Sequence, residues 1–350
     1  MHYLLALASI LVIAAALPAS AQQQAAHLEA QLAKEPDNLS VRLQTATLYA
    51  REGKHDKVIE LLNPYTDQLD SNGFMLLASS YSTVKDHVNE VRVLTILSNG
   101  EEENFRWHML LAQAFLKQAA NTKADDKKAQ LLTSGIQRLR RVLQLNPMYK
   151  PGFDLLLNTL LSQKNNSEAR EILLEGLAKF GKRPELLREI CKLDANDGFL
   201  SQAVKYCRES ISVSPDFPDH YVYLIQALND QREDKAAEKT AVKAAKRFPN
   251  SEFVQWATGT LYFKKKNYPV ASRYFQAAVK ANPKEGRAQI GLAVSLYESG
   301  DADKALAHFI EACKFDISSV EKFLAAGAKL RQSGKQSLGE KYSRAANTCR

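Results

Sequence analysis

The sequence of 350 residues contains little of what enzyme active sites and metal centres require. Its four cysteines show no C-x-x-C spacing, so the paired ligands of a structural zinc site are missing. Its seven histidines lie far apart, and no G-x-G-x-x-G, G-x-x-x-x-G-K-[ST], H-E-x-x-H or G-x-S-x-G motif occurs. We therefore predict a protein that is not an enzyme and that holds no metal and no cofactor.

The sequence has no large excess of charge of one sign. Its formal net charge is +8, and the basic residues are spread along the chain. Basic clusters at 138–141 and 264–266 are typical of solvated helix faces and turns. We therefore predict no nucleic-acid partner.

Long apolar runs are also scarce, and the main one lies at the N-terminus. The run Leu4–Leu17 is followed by Pro18 and by an A-x-A cleavage pattern at 19–21. At about 14 residues it is too short to span a bilayer comfortably. We predict a secretory signal peptide, residues 1–21, that is cleaved after Ala21 and sends the protein to the periplasm or out of the cell. The alternative is an uncleaved membrane anchor, and no other segment is apolar enough to cross a membrane.

The dominant positive feature is a period of 34 residues that runs from Lys150 to the C-terminus. Alanine recurs at this interval at Ala169, Ala203, Ala237, Ala271 and Ala305, and proline at Pro215, Pro249 and Pro283. Such regular spacing indicates a stack of similar units, each of which contacts only its neighbours.

One unit, residues 252–283, illustrates the pattern, with Glu252 as position 1. Two groups of residues have spacings of four and three, which places each group on one face of a helix. The groups are Gln255, Gly259 and Tyr262, then Ala271, Phe275 and Ala278. A turn at 266–267 separates the two helices, A and B, and Pro283 ends helix B. In length and pattern this unit resembles the tetratricopeptide repeat. The resemblance implies an all-α fold, a right-handed superhelical solenoid of antiparallel helix pairs.

About nine such units cover nearly everything after residue 38. Residues 148–350 are predicted to form six in-register units. Residues 22–147 are predicted to form an N-terminal helix and three degenerate units, with an insert near 118–128. Two units lack proline at position 32, where Gly181 and Ile317 stand, and Asp194 takes position 11, which normally holds a large apolar residue.

The four cysteines suggest two disulfides in an oxidising compartment. Cys191 and Cys207 lie at positions 8 and 24 of one unit, at about the same height on facing helices. A bridge there would contribute about 3 kcal/mol in the chain-entropy model, and the alternative is two small buried thiols. Cys313 and Cys349, on successive B helices, form the second candidate pair.

In the tetratricopeptide family the A helices line a concave groove for a partner, and positions 2, 5, 9, 12 and 13 face it. No adjacent units supply the Lys and Asn that clamp a C-terminal carboxylate in one version of that groove. Three successive units instead concentrate apolar and aromatic residues there, which suits a binding hot spot. The predicted site consists of Val222, Tyr223, Gln226, Asn229, Phe253, Trp256, Thr260, Phe263, Arg287, Ile290 and Tyr297. The alternative is that Trp256 and Phe263 only pack between neighbouring A helices.

The resemblance and the signal peptide together predict a protein-binding scaffold of the bacterial cell envelope, with a protein or peptide partner in the groove. Two alternatives stay open at this point. The first is an accessory or carbohydrate-binding subunit of a polysaccharide-export or secretion system, whose sugars would stack on the aromatic residues. The second is a membrane-anchored chaperone partner that keeps its signal peptide. The sequence carries no prediction of the oligomeric state.

Overall fold

The computed structural model describes residues 19–316 and 319–349. Within these residues it contains nineteen α-helices, one 3₁₀ turn at Asn63–Tyr65 and no strand, so the prediction of an all-α fold is confirmed. The predicted signal peptide lies outside the described residues up to residue 18, and Ile317 lies outside them as well.

The described residues divide into two compact units, one that ends at residue 159 and one that starts at residue 160. In the described residues the first unit starts with a lone helix, followed by three helix pairs and by a helix that continues into the second unit. These helices are α1 (Ala19–Lys34), α2 (Leu39–Arg51), α3 (His55–Leu62), α4 (Ser71–Thr83), α5 (His87–Gly100), α6 (Phe105–Ala120), α7 (Asp125–Leu145) and α8 (Lys150–Ser162).

The second unit continues with one helix and five helix pairs in its described residues. They are α9 (Asn166–Phe180), α10 (Pro184–Asn196), α11 (Leu200–Val213), α12 (Pro218–Asp230), α13 (Asp234–Arg247), α14 (Glu252–Lys264), α15 (Tyr268–Ala281), α16 (Gly286–Glu298), α17 (Ala302–Phe315), α18 (Ser319–Gln332) and α19 (Gln336–Asn347). From α2 onward, even-numbered helices are the A helices and odd-numbered helices the B helices. In this unit each A helix from α10 to α16 also packs on the next A helix, which is the stacking of a solenoid.

The turn from helix A to helix B has the same backbone conformation in most repeats. Position 15 has a positive φ at Gly53, Lys85, Lys164, Gly198, Arg232, Lys266, Gly300 and Gly334. Glycine takes this left-handed conformation freely, whereas a side chain makes it costly. The chain therefore reverses direction at one fixed point of the repeat, which preserves the 34-residue period.

The repeat formed by α6 and α7 departs from this pattern, and it contains the predicted insert at 118–128. Instead of a long loop, the extra residues lengthen the helices: α7 has 21 residues, compared with 14 in α13. The chain between them, residues 121–124, is the only part of the insert outside a helix. Because the added chain is helical, its backbone groups are hydrogen-bonded within the helices.

Asp194, at the apolar position 11 of α10, is fully buried and ion-paired. Arg170 on α9 donates from Nε to Oδ1 of Asp194 at 2.6 Å and from Nη2 to Oδ2 at 3.4 Å. The guanidinium carbon also lies 4.8 Å from the centre of the Phe199 ring. Burial raises the pKa of Asp194, and the bonds from Arg170 oppose that rise. A charge pair under an aromatic ring thus replaces the apolar side chain of other repeats.

Both predicted disulfide pairs are bridged in the structure. Cys191 on α10 and Cys207 on α11 have Cα atoms 4.9 Å apart, and both side chains are fully buried. Cys313 on α17 and Cys349, which follows α19, have Cα atoms 5.7 Å apart. The two separations fall within the range that disulfides normally span. The first bridge joins the two helices of one repeat, and the second joins the last two repeats.

Candidate functional site

Two pockets open along the A helices α12, α14 and α16. The first pocket, of about 320 Å³, lies between α12 and α14; its side chains include Val222, Ile225, Gln226, Asn229, Asp230, Trp256, Thr260 and Lys264. The second pocket, of about 280 Å³, lies beyond α14; its residues include Trp256, Thr260, Phe263, Phe275, Arg287, Ile290, Gly291 and Lys322. Trp256 and Thr260 line both pockets, so they form the ridge between them.

The repeat geometry explains why these residues face the same way. Trp256 and Thr260 stand at positions 5 and 9 of α14, one turn apart on the same helix face. Val222 and Gln226 hold the same two positions on α12. Because the helices stack in register, equivalent positions align along one surface.

The floor of the second pocket is an aromatic ring from a B helix. Phe275 on α15 reaches this depth because two glycines leave room for it. A Cβ atom on Gly291 would lie 2.7 Å from Cε1 of Phe275, and one on Gly259 would lie 2.9 Å from its Cδ1. Phe275 is only 3% exposed, which shows how closely the two glycine backbones enclose it. The pocket therefore depends on the absence of side chains at both glycines.

The rim of the first pocket carries charges that neutralise each other. Lys264 at the end of α14 lies with Nζ 3.2 Å from Oδ1 of Asp230 at the end of α12. Asn229 donates from Nδ2 to the same oxygen at 3.0 Å. Thr260 donates its hydroxyl to the carbonyl oxygen of Trp256 at 2.9 Å, so the hydroxyl oxygen still offers an acceptor.

The rim of the second pocket carries two cations. Arg287 binds Oε1 of Glu285 through Nε at 2.7 Å, and its guanidinium carbon lies 5.7 Å from the centre of the Trp256 ring. The hydrogen bond from Arg287 lowers the pKa of Glu285, so that carboxylate stays ionised at neutral pH. Lys322 on α18 is exposed and has no ion-pair partner in the described part of the chain.

The structure brings most of the predicted site residues together. Eight of them line the first or second pocket: Val222, Gln226, Asn229, Trp256, Thr260, Phe263, Arg287 and Ile290. Trp256 and Phe263 also pack beside Phe275, so packing and pocket lining coexist at these two residues. The spacing of positions 2, 5, 9 and 12 along the A helices was sufficient to find this group.

Three predicted aromatic residues line neither pocket. Tyr223 stands at position 6, beside the groove face, and packs against the core around α10 to α14. Phe253, in the first turn of α14, is 50% exposed beyond the pockets. Tyr297 turns instead towards the buried Tyr342, with ring centres 6.4 Å apart.

Sequence reasoning missed four contributors to the second pocket: Phe275, Gly291, Val294 and Lys322. Phe275 belongs to a B helix, so the pattern of groove positions on A helices could not include it. One signal in the sequence could have indicated the pocket. It is a phenylalanine at position 24 combined with a glycine at position 8 of the same repeat and a glycine at position 6 of the next repeat. Lys322 stands at position 3, outside the groove pattern.

No group of three His, Cys, Asp or Glu side chains in 19–316 and 319–349 could hold a metal ion. No helix of the same residues has the length and apolar character to span a membrane.

Comparison with known proteins finds one matching family and several similar folds. The model of the tetratricopeptide repeat family matches residues 257–319, which extend from α14 to the start of α18. A solved structure of MamA from Desulfovibrio magneticus RS-1 is 19% identical, with 47% of this chain and 94% of that chain covered and a TM-score of 0.41. YrrB, described as a TPR protein with an unusual peptide-binding site, is 17% identical, with 52% and 94% covered and a TM-score of 0.42. No curated protein matches the chain at a significant level.

Proposed function

We propose that this chain, whose residues 257–319 match the tetratricopeptide repeat family, is a non-enzymatic scaffold that binds a partner protein in the bacterial cell envelope. A peptide segment of the partner occupies the first and second pockets along α12, α14 and α16. The observation that carries this function is the pair of neighbouring apolar pockets that share Trp256.

The spacing of the pockets suits an extended peptide. Successive A helices pack directly on each other, and axes of packed helices lie about 8–10 Å apart. A polyproline II segment has three residues per turn and rises about 3.1 Å per residue, so side chains three residues apart lie on one face about 9 Å apart. Two such side chains can therefore enter the two pockets on either side of Trp256.

Trp256 has the properties of a binding hot spot. It is partly buried between the two pockets, and the ring of a tryptophan offers a large apolar area with little conformational freedom to lose. The guanidinium of Arg287 near one ring face limits the orientations of the indole. A peptide side chain on either side of the ring would bury apolar surface against a pre-positioned partner.

The proposed location in the envelope draws support from the predicted signal peptide and from the cysteines. All four cysteines are paired, and disulfides persist in the periplasm and outside the cell. N-terminal sequencing of the protein isolated from cells tests the location. A chain that starts at Gln22 supports export, whereas a chain that keeps residues 1–21 contradicts cleavage after Ala21.

Selection from a random peptide library displayed on phage, with the displayed peptides fused at their C-terminal ends, tests the binding function. We expect the wild-type protein to enrich a set of related peptides and the Trp256→Ala protein to enrich none of them. Phe253→Ala serves as the matched control, since Phe253 lies on the same helix and outside both pockets. Circular dichroism checks that each variant keeps its helices.

A second variant separates loss of binding from loss of folding. Thr260 lines both pockets and is partly exposed, so Thr260→Arg fills them without removing an apolar contact. This variant should remain helical and should fail to bind the selected peptides. Peptides that bind the wild-type, Trp256→Ala and Thr260→Arg proteins equally well would overturn the proposed site.

A further inference from the structure

The two pockets differ in the charge of their rims. At the first pocket the one lysine and the one aspartate form a pair with each other, Lys264 with Asp230. At the second pocket the charged residues that line it are both cations, Arg287 and Lys322. A ligand group beside the second pocket therefore meets Lys322, a cation without an ion-pair partner in the described residues, next to the pair of Arg287 and Glu285.

Arg287 keeps hydrogen-bonding capacity for a ligand. Glu285 engages its Nε and leaves both Nη groups without a hydrogen bond in the described part of the chain. Glu285, and more weakly Glu252 and Asp316, raise the pKa of Arg287, so the guanidinium stays charged. A guanidinium with two free Nη groups is well suited to a carboxylate.

Lys322 supplies the second cation from a different repeat. It lies on α18 in its first turn, whereas the apolar floor of the pocket comes from α15 and α16. Because Lys322 is exposed, its flexible chain can follow a bound ligand. The second pocket thus combines an apolar floor, Phe275 and Ile290, with cations on its rim from two neighbouring repeats.

We infer, on the basis of the function proposed above, that the second pocket recognises an apolar side chain flanked by an aspartate or a glutamate. The apolar side chain packs against Phe275 and Trp256, and the flanking carboxylate binds Arg287 and Lys322. The ligand is an internal segment of the partner, since the two cations lie on the rim, within reach of a side chain that leaves the pocket. The floor of the pocket is apolar, so a terminal carboxylate inside the pocket would meet no positive charge there.

The phage selection tests this specificity when it is repeated with the Lys322→Glu protein. We expect peptides selected on the wild-type protein to carry Asp or Glu next to an aromatic or aliphatic residue. Peptides selected on Lys322→Glu should lose this preference and favour Lys or Arg at the same place. Lys243→Glu is the matched control, because Lys243 is exposed on the B helix α13, away from both pockets.

A binding measurement with one selected peptide completes the test. The peptide is synthesised with an amidated C-terminus, once with its acidic residue and once with the corresponding amide. For the wild-type protein the acidic form should bind about three- to fivefold more tightly, as for exposed ion pairs, and the difference should shrink at high salt. For Lys322→Glu the difference should vanish or reverse.

The outcomes distinguish the specificity from the binding function itself. Two results would overturn the specificity and leave the scaffold function intact. Either the selected peptides require Trp256 but show no preference for an acidic residue, or they show that preference on the Lys322→Glu protein as well. Clearly tighter binding of the same peptide when it is synthesised with a free C-terminal carboxylate would overturn the internal segment. If no peptide requires Trp256, the scaffold function proposed for these pockets fails, and the specificity fails with it.

Discussion

Replacing the buried ion pair of Arg170 and Asp194 should have unequal effects for its two members. Asp194 is fully buried, whereas the side chain of Arg170 is 23% exposed. In Asp194→Leu the guanidinium can turn to water, and the leucine restores the apolar position 11 of other repeats. In Arg170→Leu the carboxylate stays buried without a partner, which costs about 3–5 kcal/mol for a buried pair. We therefore expect Arg170→Leu to lower the free energy of unfolding by about 3–5 kcal/mol and Asp194→Leu by clearly less.

The double variant removes both charges and should lose little stability. Apolar replacements of buried ion pairs range from neutral to stabilising by about 1–4 kcal/mol. Urea unfolding followed by circular dichroism measures all three variants against the wild-type protein. A double variant as unstable as Arg170→Leu would refute this reasoning, and so would equal losses in the two single variants.

The pH dependence of Arg170→Leu provides a further check on the same pair. Burial raises the pKa of Asp194 above its ordinary value of 3.8, and loss of Arg170 removes the effect that opposes this rise. The folded protein then binds a proton more readily than the unfolded chain, so stability increases as the pH falls towards 3.8. The deficit of Arg170→Leu relative to the wild-type protein should therefore be largest at neutral pH and should shrink in mild acid.

Three further predictions concern the repeats themselves. Replacing Cys191 and Cys207 together by alanine should lower the free energy of unfolding by about 3 kcal/mol, because the unfolded chain regains the entropy that the closed loop removes. Urea titration measures this loss, and an unchanged urea midpoint would contradict the bridge. Gly300→Ala, at φ 91°, should lower the free energy of unfolding by about 1–2 kcal/mol from backbone strain alone, since no atom lies within 4 Å of the new Cβ. Lys266 already has a side chain at the same repeat position, so Lys266→Ala should leave stability unchanged. Equal losses in the two variants would contradict this reasoning. Burial lowers the pKa of His220, so the stability that this group contributes above its ordinary pKa of 6.5 should be lost as the pH falls. In His220→Gln the urea midpoint should therefore change less between neutral and mildly acidic pH than in the wild-type protein.

The fold could be predicted because each repeat position has a local role that the sequence repeats. Alanine at position 20, as in Ala271, allows close packing of helices A and B wherever it recurs. The turn residue at position 15 reverses the chain at a fixed point. Such features depend on neighbours within one or two repeats, so a regular spacing reveals them.

The candidate site could be predicted only in part, because some side chains are oriented by residues distant in sequence. The ring of Tyr297 turns to Tyr342 in the last helix, an interaction that its own repeat does not indicate. The floor residue Phe275 depends on glycines in two different repeats. Likewise, Asp194 departs from the apolar residue expected at position 11, and only the structure shows Arg170 beside it. In each case a contact between repeats, rather than the repeat pattern, sets the local structure.

The dissociation constant of one selected peptide for the wild-type, Trp256→Ala and Phe253→Ala proteins tests the central claim most directly. Isothermal titration measures all three under the same conditions. A shared anchor between two pockets should act as a hot spot, so Trp256→Ala should weaken binding by about 30-fold or more. Phe253→Ala should leave the dissociation constant unchanged within about twofold, since truncation of a residue outside the contact has little effect. Equal losses in the two variants, or no loss in Trp256→Ala, would contradict binding in the pockets beside Trp256.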